Sequence, residues 1–308
     1  MNYAIQLENR SAKAICHDNE QEIACSTGKQ KPVVKVPMLA CDCHHHIYDP
    51  AQFPYSPDDK RKQPPSTVSS YRLLQKRLGI SRNVIVQPSA YGTDNSCTLA
   101  ALQEMGPSAR AIVVVDESVS DAELRNMHDL GVRGIRLNLA SEQKVIKPDG
   151  IERLSARIHE LGWHVQFWTM ADDIVDMEEI LKRMTSPMVF DHLGHLPQPS
   201  GVNHPAFKVI CNLIEKGSAW VKLSGPYHDS EVGAPSYSDS TKLAQAYVKF
   251  APERLVWGSD WPHPIMYSKK KEWPDDAQLL DLLAQWAPDD AIREKILVDN
   301  PAILYGYR

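Results

Sequence analysis

The sequence predicts an α/β fold of the (β/α)8 barrel type, in a single domain. Short apolar runs rich in β-branched residues alternate with longer amphipathic stretches, and eight such runs can be counted. The chain of 308 residues, 43% of them hydrophobic, is long enough to build such a barrel and its core. A doubly wound open sheet is the alternative, but no Gly-x-Gly-x-x-Gly motif follows any of the runs.

The eight predicted strands share apolar, β-branched residues and a length of seven to nine residues: Met38–His46, Asn83–Ser89, Arg110–Asp116, Gly131–Leu139, Trp163–Thr169, Met188–Gly194, Ala219–Gly225 and Arg254–Asp260. Helical periodicity marks the stretches between them: Thr67–Leu78, Ser120–Leu130, Gly150–Leu161, Asp173–Met184, Ala206–Lys216 and Asp239–Phe250. Two closing helices are predicted after the last strand, at Asp275–Trp286 and Asp289–Val298. Glycines at 79, 131, 162 and 217 stand where helices should end.

The first 37 residues differ from the rest, because they are polar and follow no periodicity. We expect residues 1–37 to form an N-terminal arm, either loose or lying across the barrel surface, and residues 38–308 to form the barrel. The oligomeric state is left open.

Charge and composition exclude several classes of partner. The net charge of −5 gives no reason to expect nucleic acid or an anionic membrane surface. No run of about 18 apolar residues predicts a membrane span, and no signal peptide is recognisable, so the expected compartment is the cytoplasm. The six cysteines form no Cys-x-x-Cys pair and are expected to be reduced thiols.

Side chains able to do chemistry follow the predicted strands, and catalytic groups of such barrels lie at the carboxyl ends of the strands. Strand side chains alternate, so Asp42, His44 and His46 should share one face of the first strand. His192 ends the sixth strand and Asp260 the eighth. A buried structural histidine and a helix N-cap are the respective alternatives for these two residues.

The sequence of the fourth strand predicts a residue that anchors the substrate. Because side chains alternate along a strand, Ile135 and Leu137 should face the helices and Arg136 should face the barrel interior. An inward guanidinium near the barrel mouth is costly unless it meets an anion, and a substrate carboxylate is the natural candidate.

Four motifs together resemble the amidohydrolase superfamily: Asp-x-His-x-His at 42–46, Val-Phe-Asp-His-Leu-Gly at 189–194, Val-Lys-Leu-Ser-Gly-Pro-Tyr at 221–227 and Trp-Gly-Ser-Asp-Trp-Pro-His at 257–263. They are most similar to its branch of 2-pyrone-4,6-dicarboxylate lactonases, sulfomuconolactone hydrolases, sugar lactonases and D-galactarolactone isomerases. The resemblance implies a distorted TIM barrel, in agreement with the strand count.

The resemblance also implies roles for individual residues. It implies that His44 and His46 occupy the first-strand metal positions, that His192 is the sixth-strand histidine and that Asp260 is the general base. Arg136 matches a residue that binds a substrate carboxylate, and Tyr55, in the loop 53–55, matches an aromatic hydroxyl in the pocket.

Some positions depart from the family pattern. The fourth strand has no lysine and Gln166 stands where many members carry a fifth-strand histidine, so a binuclear metal centre is not expected. His195 and His228 replace two arginines of the dicarboxylate lactonases, which favours a substrate with fewer carboxylates or with hydroxyls. Together with His263 they are expected to line the pocket.

The predicted function is a hydrolase that opens a carboxylated lactone, of the sugar-acid or muconolactone kind, by attack of water on the ring carbonyl. The alternatives are a sugar-acid lactone isomerase, a zinc-dependent decarboxylase of the same superfamily, and a non-catalytic carboxylate-binding barrel. Either no metal is required, or one Zn²⁺ is held by the four residues His44, His46, His192 and Asp260.

Overall fold

The computed structural model describes residues 22–60, 62–139 and 148–307 of the chain. Eight parallel strands follow one another in sequence order around the sheet: β1 (Cys41–His45), β2 (Arg82–Val86), β3 (Ala109–Val113), β4 (Val132–Asn138), β5 (His164–Trp168), β6 (Met188–Phe190), β7 (Ala219–Leu223) and β8 (Leu255–Trp257). The loop after β8 completes the ring, because Trp261 forms a parallel bridge with His45 of β1. The predicted (β/α)8 barrel is confirmed.

The helices lie between the strands and after β8: α1 (Val68–Leu78), α2 (Ser96–Met105), α3 (Asp121–Leu130), α4 (Pro148–His159), α5 (Ala171–Asp176), α6 (Glu178–Arg183), α7 (Pro205–Glu215), α8 (Ser238–Phe250), α9 (Pro264–Ser268), α10 (Asp276–Trp286), α11 (Asp290–Glu294) and α12 (Asn300–Tyr305). The prediction lacked α2, and the single helix predicted over 173–184 is divided at Met177 into α5 and α6. The second closing helix continues through a π-helical turn, Lys295–Asp299, into α12. Among the described residues, no helix is long and apolar enough to cross a membrane.

Two buried clusters of side chains hold the barrel together. The larger one fills the space between the strands and the helices, and the smaller one fills the barrel itself. Members of the smaller cluster come from alternate strand positions and from the C-terminal residues: Cys41, Cys43, Val84, Val86, Ile112, Val189, Trp220, Val256, Tyr305 and Tyr307. The five described cysteines are all buried and free.

An irregularity in β1 changes which side chains share a face. The register of β1 against β2 shifts between Asp42 and His45. Asp42 therefore accepts a hydrogen bond from the Tyr71 hydroxyl of α1 at 2.9 Å, and His45 stacks on the same ring. The prediction that Asp42 shares a face with His44 and His46 is wrong, because the extra residue of a bulge reverses the alternation. Asp42 instead fixes the β8 loop by accepting from the backbone N–H of Ser259 at 2.9 Å and from its hydroxyl at 2.6 Å.

Residues 22–37, the described part of the predicted N-terminal arm, contact the barrel between α1 and α10. The backbone N–H of Thr27 donates to the carbonyl of Pro274 at 2.9 Å, and that of Val34 donates to Asp281 Oδ1 at 2.8 Å. The remainder of the predicted arm, residues 1–21, lies outside the described residues.

Candidate active site

The four residues predicted to carry the chemistry meet at the carboxyl end of the barrel. Nε2 of His44 lies 3.3 Å from Nε2 of His46 and 3.5 Å from Oδ1 of Asp260. The same carboxylate oxygen lies 3.6 Å from Nε2 of His46 and 3.8 Å from Nε2 of His192. All four side chains are at most 2% exposed. Strand β1 and the segments that follow β6 and β8 thus bring together groups that are up to 216 residues apart in sequence.

Hydrogen bonds on the far side of the rings orient two of these histidines. Nδ1 of His46 lies 2.7 Å from the carbonyl oxygen of Val86, which accepts only, so this nitrogen carries the proton. Nε2 of His46 then faces Nε2 of His44 at 3.3 Å and Oδ1 of Asp260 at 3.6 Å. His192 is held through Nδ1 by the hydroxyl of Ser224 at 2.9 Å.

A buried ionic layer lies directly beneath His44, and the sequence analysis missed two of its members, Asp191 and Lys222. Nζ of Lys222 lies 3.2 Å from Nδ1 of His44 and donates to Gln166 Oε1 at 2.7 Å. Oδ1 of Asp191 lies 3.2 Å from Nδ1 of His44 and 3.5 Å from Nζ of Lys222. The guanidinium of Arg136 contacts the other oxygen of Asp191 at 3.3 Å. A lysine between the apolar residues Val221 and Leu223 was the available signal, since parity turns it towards the barrel interior.

The charges of this centre balance, with Asp191 and Asp260 as carboxylates and Arg136 and Lys222 as cations. Burial alone would raise the pKa of Asp260, but the surrounding imidazoles, His192 and His228 first among them, hold it well below its usual range. Burial lowers the pKa of His44 to about 3 and that of His192 well below 6.5. At neutral pH the centre therefore contains ionised Asp260 beside the neutral rings of His44 and His192.

A cavity opens above this centre. Its walls are formed by His46, Tyr48, Pro88, Ser89, Arg136, Asn138, Trp168, His192, His228, Asp260, Pro264 and Ile265. Of the residues predicted to bind substrate, Arg136 and His228 lie in these walls, and His228 also approaches Oδ2 of Asp260 at 3.0 Å through Nε2. Tyr48 was not anticipated.

The other predicted substrate-binding residues lie behind the cavity walls. The hydroxyl of Tyr55 donates to the carbonyl of Gln63 at 2.6 Å, so it stabilises its own loop, and Tyr48 supplies the aromatic wall instead. Gln166 belongs to the ionic layer and donates to Asp191 at 3.0 Å. His195 pairs with Asp229 at 3.1 Å. His263 lies between the Tyr227 hydroxyl at 2.7 Å and Asp276 at 3.2 Å.

The donor atoms fit a single zinc ion. His44, His192 and Asp260 offer ligand atoms that all lie within 4.8 Å of one another, and Nε2 of His46 lies against two of them. Tetrahedral zinc with ligands about 2.0–2.1 Å away places those ligands about 3.3 Å apart, close to the 3.3 to 3.8 Å that separate the four pairs of atoms described above. Three of the four residues named in the sequence analysis form this group, and His46 lies beside it.

A comparison with known families gives a match over nearly the whole barrel. The amidohydrolase family profile matches residues 41–307. The chain belongs to the amidohydrolase family.

Curated relatives cover most of this amidohydrolase. A 4-sulfomuconolactone hydrolase of Rhizobium radiobacter is 36% identical over 88% of this chain and 91% of its own. A 2-pyrone-4,6-dicarboxylate hydrolase of Comamonas testosteroni is 35% identical over 89% and 92%. A D-galactarolactone isomerase of Agrobacterium fabrum is 31% identical over 87% and 91%. Among solved structures, a protein of Agrobacterium tumefaciens superposes with a TM-score of 0.84 at 29% identity, over 92% of this chain and 99% of that one.

Proposed function

We propose that this amidohydrolase opens a carboxylated lactone, of the muconolactone or sugar-acid kind, by attack of water on the ring carbonyl. The observation that carries the proposal is the position of Asp260, an ionised carboxylate that faces the cavity among three imidazoles and opposite a guanidinium. Two of the three relatives described above are named as lactone hydrolases, which supports the same reaction class.

Asp260 is the proposed general base. Its Oδ2 is held by the hydroxyl of Tyr227 at 2.8 Å and by His228 at 3.0 Å, which leaves Oδ1 for the attacking water. After the water has attacked, the same carboxyl returns the proton to the ring oxygen as the ester bond breaks. His192 is the proposed donor to the carbonyl oxygen, because its Nε2 faces the cavity while Nδ1 is held by Ser224.

Arg136 is the proposed anchor for the substrate carboxylate. Its contacts to Asp191 are long, at 3.3 Å, and its side chain reaches the cavity wall. A guanidinium held from behind by one carboxylate can present its remaining donors to a second anion. His228 lies in the same cavity and is the second proposed contact, with Tyr55, Gln166, His195 and His263 supporting the walls.

We propose further that the reaction requires no metal ion. The carboxylates of Asp191 and Asp260 are already balanced by Lys222 and Arg136, so a dication would add two positive charges to this centre. A zinc ion held by His44, His46, His192 and Asp260 would lower the pKa of a bound water to about 7.

The test is a proton-release assay at pH 7 with 4-sulfomuconolactone, 2-pyrone-4,6-dicarboxylate and D-galactarolactone. A hydrolase releases one proton for each lactone opened and adds the mass of water to the product. Product of unchanged mass without proton release would replace the proposal by an isomerase. Release of CO₂ that ceases when zinc is stripped would replace it by a decarboxylase. Ligand-dependent thermal stabilisation without any turnover would indicate a binding protein.

A further inference from the structure

The segment Ile23–Gly28 reaches the back of the active site, although it precedes residue 41, where the family match begins. The indole N–H of Trp261, the residue after Asp260, donates to the carbonyl of Ala24 at 2.8 Å. Arg77 of α1 fixes the segment from the other side through the carbonyls of Thr27 and Gly28, at 3.0 and 2.7 Å.

Ser26 of this segment begins a chain of hydrogen bonds that ends on the proposed general base. Its hydroxyl donates to Oδ2 of Asp276, and the same oxygen lies 3.2 Å from Nε2 of His263. Nδ1 of His263 lies 2.7 Å from the Tyr227 hydroxyl, which donates to Asp260 at 2.8 Å.

The inner members of this chain are almost completely buried and have few other partners. Asp276 and His263 are fully buried, and the second oxygen of Asp276, Oδ1, has no hydrogen-bond partner among the described residues. Arg77 donates to the Ser26 oxygen at 3.0 Å, which turns the Ser26 proton towards Asp276. The position of the Asp276 carboxylate, and with it the ring of His263, therefore depends on Ser26.

We propose that Ser26 is a positioning residue for catalysis, and that the segment Ile23–Gly28 holds the β8 loop and Asp260 in their reactive geometry. This inference rests on the proposed role of Asp260 as general base. It adds to the site an element that lies outside the matched barrel. Loss of the Ser26 hydroxyl lets the Asp276 carboxylate and the His263 ring rotate, and Tyr227 then no longer directs Oδ2 of Asp260.

The test compares Ser26→Ala with Thr27→Val, using the lactone of the three above that the wild type opens fastest. Thr27 is a matched control, because its hydroxyl donates a hydrogen bond from the same segment to the carbonyl of Trp273 at 3.2 Å. That hydroxyl contacts none of the groups in the hydrogen-bond chain from Ser26 to Asp260. Ser26→Ala is expected to lower kcat roughly 5- to 20-fold with KM within about twofold, since small misplacements of a catalytic group have effects of this order. Thr27→Val should keep kcat within about twofold, and Ser26→Thr should restore most of the activity.

Tyr227→Phe shows whether Ser26 acts on Asp260 through the hydrogen-bond chain or through a general loss of stability. In a Tyr227→Phe background the further loss caused by Ser26→Ala should disappear, because the chain is already broken. Equal kcat for Ser26→Ala and Thr27→Val, or full additivity with Tyr227→Phe, would overturn the proposal.

A readout without turnover keeps this proposal distinguishable from the proposed function. If the wild type opens none of the three lactones, the hydrolase proposal fails. The hydrogen-bond chain is then monitored by ¹⁵N NMR of the histidine rings. The signals of His263 and His228 are assigned with variants in which each histidine is replaced. His228 contacts Asp260 at the far end of the chain. Shifts of both rings in Ser26→Ala but not in Thr27→Val support the positioning role, and an unmoved His228 ring refutes it.

Discussion

Replacing Asp260 by Asn is the sharpest perturbation of the proposed mechanism. The substitution keeps the size of the side chain and keeps an oxygen that accepts from Tyr227 or His228. It removes the negative charge and the ability to take a proton from water. Since the pKa of Asp260 is held well below its usual range, the carboxylate is ionised throughout the neutral range and the loss applies at every such pH.

The expected size of the loss follows from what general bases contribute. Positioned proton transfer is worth about 10²- to 10⁴-fold in rate, so Asp260→Asn should lower kcat by roughly 10³-fold. The anchor Arg136 and the other wall residues of the cavity are unchanged, and KM or the Kd of the lactone should therefore stay within about threefold. Proton release gives kcat, and isothermal titration of the inactive variant gives Kd.

Asp94→Asn serves as the control for this variant. Asp94 is an exposed carboxylate in the loop after β2, and within the described part of the chain its side chain bonds to Ser96 alone. This control should behave as the wild type. Turnover by Asp260→Asn within tenfold of the wild type would refute the general-base role, and loss of binding together with turnover would mean that the carboxylate mainly shapes the cavity.

Three further predictions concern the anchor, the buried histidines and the metal. Arg136→Met should raise KM at least tenfold for the carboxylated lactones and change kcat less than threefold, as steady-state kinetics would show. Burial lowers the pKa of His164 to about 3, so its folded form resists protonation and stability falls as pH drops below the unfolded pKa of about 6.5. Between pH 7 and 5 this costs about 2 kcal/mol, from roughly 1.36 kcal/mol for each pH unit below 6.5. In urea unfolding, His164→Leu should reduce the loss of unfolding free energy between pH 7 and pH 5 by about that amount. A variant that loses as much stability as the wild type would contradict the lowered pKa of His164. Chelation should leave lactone opening within twofold and mass spectrometry should find well under one zinc per chain; about one zinc with lost activity would make the four predicted residues ligands.

The sequence predicts the strands and the strand-end residues well because both depend on local patterns. Eight apolar runs and the parity of β4 suffice to place Arg136 in the cavity wall. Parity fails at Asp42, because a bulge adds a residue without any mark in the sequence. The hydroxyl of Tyr55 was also predicted in the pocket, but its position depends on the path of a loop and on its bond to Gln63.

Asp191 and Lys222 were missed for a different physical reason. Each residue was interpreted only as part of a motif, and the partners that a buried charge requires were not considered. A fully buried ammonium must find acceptors, and a fully buried carboxylate must find donors. Applying that requirement to Lys222 on β7 and Asp191 after β6 would have predicted their ion pair, which the structure shows at 3.5 Å.

The same charge balance links the two layers of the site. Burial keeps the ring of His44 neutral, and Lys222 and Arg136 together outweigh the negative charge of Asp191, which would otherwise favour a protonated ring. A neutral His44 leaves Asp260 without a strong ion pair, so its carboxylate stays available to accept a proton. Lys222→Met should therefore lower activity although Lys222 does not line the cavity, because Lys222, unlike Arg136, lies directly against Nδ1 of His44 at 3.2 Å. Without it His44 would take up a proton more readily, and an ion pair between His44 and Asp260 would weaken Asp260 as a base. A fall in kcat with unchanged KM for this variant would show that the buried layer sets the protonation state of the catalytic one, and an unchanged kcat would show that the two layers act independently.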